Sequence, residues 1–233
     1  MSDEKPNQLI KTARITGIWY LALAISGILG FLVFHSRVYV SGDPEQTLAN
    51  LTENETLSRI RLLMEFLIVI SQALAALWFY KLFKGISDWE AWAVGIWGTV
   101  NSLVILISAI AMAAAIQIAD SPVHAHEDQL VLIDLLGQLI RHSWKVGGLF
   151  FGLWLIPMGH IVIQSKRMPL WLGRILVLGG VGYILSTLIS YMGFQHSLLN
   201  ALTLPATVGE FWMIGYLLSY GIRPVMEPLG ARK

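Results

Sequence analysis

Six apolar runs separated by short polar stretches set the pattern of the chain, at about 15–34, 59–83, 90–118, 143–164, 171–192 and 198–221. Each holds roughly the 20 residues that cross a hydrocarbon core about 30 Å thick at about 1.5 Å per residue. No water reaches backbone groups at that depth, so each run must close its own hydrogen bonds as a helix. The pattern predicts an all-α polytopic membrane helical bundle of six transmembrane helices, with 1–233 as a single transmembrane domain. A shorter stretch, Leu130 to Ile140, carries Asp134 and Gln138. It is too short to span, and predicts one short interfacial helix or an extension of the fourth span. The first run exceeds a signal-peptide core, lacks a small-residue cleavage site and is followed by further spans, so it reads as an uncleaved helix. Between the first two runs, SGDPEQ and TENET are polar enough for a membrane-external loop with a short amphipathic turn.

Composition agrees with the pattern and removes several function classes. Of 233 residues 55% are apolar and 13% charged, with a mean hydropathy of +0.64, far above an ordinary soluble domain. A net charge of +1 offers no basic stripe for phosphates, so no nucleic-acid partner is expected. The absence of cysteine removes disulfides, thiolate metal sites and cysteine nucleophiles together. Walker A, GxGxxG and Gly-x-Ser-x-Gly signatures are also missing.

The positions of the charges matter more than their sum. Alternate ends of the spans, starting from the N-terminus, hold Lys5, Lys11, Arg14, Lys81, Lys84, Lys166, Arg167, Arg174, Arg223, Arg232 and Lys233. The opposite ends hold Arg37, Arg59, Arg61, Arg141 and Lys145. Eleven against five predicts both termini on the cytoplasmic side of a bacterial inner membrane. Trp78, Tyr80, Trp89, Trp92 and Trp171 then form an inner aromatic belt, with Trp144 at the outer one.

Polar residues inside the runs are the candidate chemistry. Glu210 falls about 12 residues into the sixth run, near the midplane, where an acid costs about 2.5 to 3.5 kcal/mol to insert. It is expected to face other helices or a wet cavity, and to donate to Asn101 or Gln72 if they come within reach. Glu65 shares a helical face with Gln72, and Arg61 one turn earlier is placed to snorkel outward and pair with it. Gln72, Asn101, Glu65 and Glu210 therefore make a candidate midplane polar site. It reads either as a relay or substrate cavity, or as an interhelical hydrogen-bond network worth about 0.6 kcal/mol per bond. Gly148-x-x-x-Gly152 predicts close helix packing, and Pro157 a kink.

Five of the six histidines, His35, His124, His126, His142 and His196, fall on the predicted outer side, with His160 toward the inner end. His124, His126 and His142, helped by Glu127 and Asp128, are the candidate zinc or copper ligands. Two functions follow. The first is a non-enzymatic small permease or accessory membrane subunit with a polar midplane site at Glu210. The alternative is a metal-dependent intramembrane enzyme using outer-face histidines, in which His142 and Asp134 could also assemble across helices. Expected partners are membrane lipids and a small molecule or ion. No catalytic residue and no oligomeric state is assigned.

Four segments carry a family likeness: ARITGIWYLALAISG, SGDPEQTLANL, GLFFGLWLIPMGHIVIQSKRMPLWLGRILVLGGVGYI and GEFWMIGYLLSYGIR. Taken in order they cover nearly the whole chain, which resembles bacterial six-helix membrane proteins of domain-of-unknown-function family 4386. The resemblance implies the fold and the membrane location, and no activity. It places Gly209 and Glu210 on a motif position of the last helix, while the histidines of HAHED match no motif of the family.

Overall fold

Each apolar run is helical in the computed structural model, which describes residues 6–123, 125–194, 196 and 198–223. Helix α1 (Pro6–Ile28) continues as a π-helical segment, Leu29–His35, and ends in the single turn α2 (Ser36–Val38). Then come α3 (Pro44–Glu53), α4 (Glu55–Phe83), α5 (Asp88–Ala119), α6 (His126–Ser165), α7 (Leu170–Tyr191), the short α8 (Leu198–Ala201) and α9 (Leu204–Ser219). Six helical stretches are long and apolar enough to cross a membrane: Asn7–Val38, Glu55–Phe83, Asp88–Ala119, His126–Ser165, Leu170–Tyr191 and Leu199–Ser219. Only 28–50% of each apolar window is buried against protein. Much of the rest, including Leu32, Leu103 and Ile110, is exposed and needs lipid around it. The fold is an all-α membrane helical bundle.

The structure decides one reading that the sequence pattern leaves open and adds two details to it. Leu130 to Ile140 is no separate interfacial helix but the early part of α6, whose 40 residues extend about 60 Å, twice the hydrocarbon thickness. A continuous backbone ladder here satisfies more groups than a break would. The short helix outside the spans is instead α3, in the first loop. Its start is written locally: Gly42 turns the chain at φ +80, Asp43 caps by accepting from the Gln46 N–H at 2.9 Å, and Pro44 opens the first turn. The sixth span is interrupted at Leu202 and Thr203, just before Pro205.

The contacts divide the described residues into two compact units. One comprises 6–18, Ala76–Trp97 and the described residues from Phe151 onward. Its core is formed by Phe79, Phe83, Trp154, Met158, Leu172, Leu176, Met213 and Leu217, all buried. Here α6 and α7 pack backbone to backbone: a Cβ on Gly152 would lie 2.5 Å from the Gly180 carbonyl, and one on Gly159 2.5 Å from that of Gly173. Helix α9 meets α7 with Gly179 against the Ala206 backbone and Gly209 against the Leu176 side chain. The small-residue contact predicted for the fourth span therefore repeats every seven residues and uses Gly152 and Gly159.

The other unit is Trp19–Ala75 with Gly98–Phe150. Its core joins Val38, Leu48, Leu51, Ala115, Ile116, Ala119 and Ile133, so the first loop packs on α5 and α6. Side chains close its turns. Asn50 donates to the Val38 carbonyl at 3.2 Å, and Gln129 donates to the Ile118 carbonyl at 2.9 Å, satisfying the end of α5.

Candidate functional site

The most concentrated polar chemistry in the second unit starts from a spacing of four residues in α4. Arg61 donates from Nη1 to Glu65 Oε2 at 2.7 Å, and both side chains are 0% exposed. Trp144 of α6 donates its indole N–H to the other carboxylate oxygen at 2.9 Å. Phe31 lies under the guanidinium at 5.3 Å and edge-on to Trp144 at 4.2 Å. Gly30 makes room, since a Cβ there would meet Arg61 Nη1 at 3.4 Å.

Arg61 pairs with Glu65 as its spacing predicts, but it does not snorkel. The guanidinium is enclosed by Gly30 and Phe31 from the preceding span, so the pair is fully desolvated. Trp144, half-buried on α6, gives its indole N–H to this pair. Both Glu65 oxygens are thereby occupied, whereas Arg61 Nε and Nη2 are buried with no hydrogen-bond partner. Burying two ions costs several kcal/mol each before their attraction is counted, so the arrangement is expensive to maintain.

Beside this cluster the same unit holds a cavity of about 150 Å³, lined among others by His35, Tyr39, Thr47, Asp134, Gly137 and Arg141. His35 ends the π-helical segment, a winding concentrated at functional sites, and stacks on Tyr39 with ring centroids 5.3 Å apart. Its Nδ1 is buried without a partner, and the ring lies within electrostatic reach of both Arg61 and Arg141. Burial pushes the Tyr39 phenol well up from its ordinary value, against the smaller pull of Arg61, so Tyr39 keeps its proton. The opposite wall is one face of α6: Asp134, Gly137 and Arg141 follow at spacings of three and four. Gln138 donates to Asp134 Oδ2 at 2.7 Å. Among the described residues no carboxylate lies within ion-pair distance of Arg141.

The residues of the predicted midplane site are not gathered in one unit. Glu65, Gln72 and Asn101 belong to the second, and Glu210 to the first. Glu210 is half-buried on α9, within electrostatic reach of the Tyr183 phenol. Gln72 is 0% exposed with neither amide atom hydrogen-bonded, and Asn101 Oδ1 is buried without a partner, 3.2 Å from where a Cβ on Gly147 would sit.

Of the candidate metal ligands, His124 lies outside the described residues. His126 is exposed and bonded to Glu45 at 3.1 Å. His142 stands sixteen positions further along the same unbroken helix, about 24 Å away along its axis, too far for one ion to touch both rings. No group of three His, Asp or Glu with metal-holding geometry occurs among the described residues. In the first unit His160 hydrogen-bonds Glu90 through Nδ1 and approaches Gln164 at 3.1 Å.

Sequence reasoning had set His35 among the outer histidines and passed over Tyr39, Gly137 and Arg141 as site residues. The α6 spacing was a usable signal for two of them. Nothing local brings the end of the π-helical segment to that face.

One curated relative is an uncharacterized protein of Archaeoglobus fulgidus, 29% identical over 69 residues, which are 30% of this chain and 43% of that protein. The match thus spans less than half of the relative's length. No solved structure gives a significant match. The family model described as a domain of unknown function, DUF4386, aligns with residues 15–221, a stretch that takes in all six apolar helices almost end to end, and the chain belongs to that family.

Proposed function

We propose that this integral membrane protein is non-enzymatic, a small permease or accessory subunit, and that it receives a small polar ligand in the cavity between the first loop and α6. The observation that carries this reading is a cavity of about 150 Å³ with His35, Asp134 and Arg141 in its wall. Charged groups of both signs lining one cavity beside an apolar span point to a site by default. Glu65 takes the structural part expected of an intramembrane acid, anchoring Arg61 and Trp144 behind the wall. The ligand site proposed here uses His35, Asp134 and Arg141 in place of Glu210. The excess of Lys and Arg at alternate span ends supports an inner-membrane location with both termini cytoplasmic, so that the cavity opens on the outer side.

The chain has no cysteine of its own, which makes the test clean. A Cβ on Gly137 meets nothing within 4 Å, so Gly137→Cys should fold and should react with a membrane-impermeant maleimide on intact cells. Leu67→Cys, on an exposed apolar face of α4, should not react. Failure of Gly137→Cys to react even in detergent would remove the open cavity, and reaction only after permeabilisation would reverse the orientation.

A further inference from the structure

The cavity wall carries one charge of each sign, and neither cancels the other. Asp134 and Arg141 face the same space from α6, yet no ion pair joins them among the described residues. Seven residues separate them, about 10.5 Å of helix axis, and between them lies Gly137. With no side chain there, the gap stays open: nothing would meet a Cβ within 4 Å. Helical side chains tilt toward the N-terminus, a tilt that favours Arg141 reaching over the turn that carries Gly137. Asp134 Oδ2 is held by Gln138, which fixes the carboxylate, and Oδ1 has no partner among the described residues. The far wall offers the protonated Tyr39 phenol and the His35 ring.

An anion alone would leave Asp134 unmatched and repelling, and a cation alone would do the same with Arg141. From this juxtaposition we infer that the cavity binds a small zwitterion, its carboxylate or phosphate on Arg141 and its ammonium on Asp134, seated over Gly137. This rests on the ligand-binding reading of the same cavity. The chemistry is shared by a free amino acid and by the headgroup of an ethanolamine phospholipid, whose phosphate and ammonium have the same order of charges.

The test uses the full chain purified in detergent. Calorimetric titration with glycine, β-alanine and phosphoethanolamine should show binding, weakened about tenfold or more in Arg141→Gln and in Asp134→Asn, since each removes a charge-assisted contact. Acetate and ethylamine should bind at least about tenfold more weakly than the zwitterions. Gly137→Leu should abolish binding while keeping the melting temperature of the wild type, because it fills the gap without touching either charge. Native mass spectrometry distinguishes the sources: a retained phosphatidylethanolamine lost in Arg141→Gln assigns a lipid, and binding of soluble zwitterions to lipid-free protein assigns a free solute. Acetate binding as tightly as glycine, Asp134→Asn leaving affinity unchanged, or no binding by any probe would overturn the inference. If Gly137→Cys labels from outside and none of these ligands binds, only the ligand class falls. If it does not label in detergent, the cavity reading falls with it.

Discussion

Arg61 and Glu65 are the residues whose worth is easiest to misjudge. A buried pair is weak evidence for stability, because the desolvation of both ions offsets their attraction, but breaking one leaves the other charged and unmatched. Glu65→Leu should therefore destabilise the protein by about 3–5 kcal/mol, measured by thermal or denaturant unfolding in detergent. The double change Arg61→Met with Glu65→Leu should recover most of that loss. A double variant as unstable as the single one would mean that the pair itself holds the unit together. Trp144→Phe should cost about 1.5–3 kcal/mol, the net value of a hydrogen bond to a charged group. The pairing was legible because four residues on a helix make neighbours. The third member was not, since Trp144 lies in a different helix and sequence separation carries no distance.

At the scale of elements, the packing of α6 on α7 depends on four glycines. Backbone carbonyls, not flexible side-chain tips, stand opposite Gly152, Gly159, Gly173 and Gly180, so a new methyl cannot be accommodated by a rotamer change. Gly159→Ala should cost about 1–3 kcal/mol through forced separation of the two helices, read from unfolding in detergent. Gly215→Ala is the control: nothing lies within 4 Å of its Cβ position on α9, and helix propensity alone should make it neutral or stabilising by up to about 1 kcal/mol. Equal losses at both positions would show that glycine flexibility rather than close approach matters. The four-residue glycine spacing identified the fourth span as a close-packing helix. It could not identify the register, which depends on where an antiparallel neighbour places its own glycines.

For the whole molecule, orientation is the property on which the sidedness of every site depends. A C-terminal green fluorescent protein fusion should be bright and an alkaline phosphatase fusion at the same point inactive, as the distribution of Lys and Arg requires. The reverse pattern would turn the cavity toward the cytoplasm and replace the pool of ligands it could meet. It would leave the internal geometry of both units unchanged.

The number of spans, their approximate ends and the membrane class were present in the sequence, because the absence of backbone hydrogen-bond partners in lipid leaves an apolar run of some 20 residues one solution. The first loop reads in sequence only as a polar stretch with a short amphipathic turn, which the structure extends into α3, capped by Asp43. The course of α6 through Leu130 to Ile140 was open, as apolar periodicity does not reveal whether two stretches share one axis. The candidate site was decided almost wholly by tertiary structure. Polarity and depth drew attention to Glu210, Asn101, Gln72 and Glu65, but a cavity is made by what fails to fill a space. The end of the π-helical segment, the first loop and the bare Gly137 face of α6 leave that space between them only once the chain has folded.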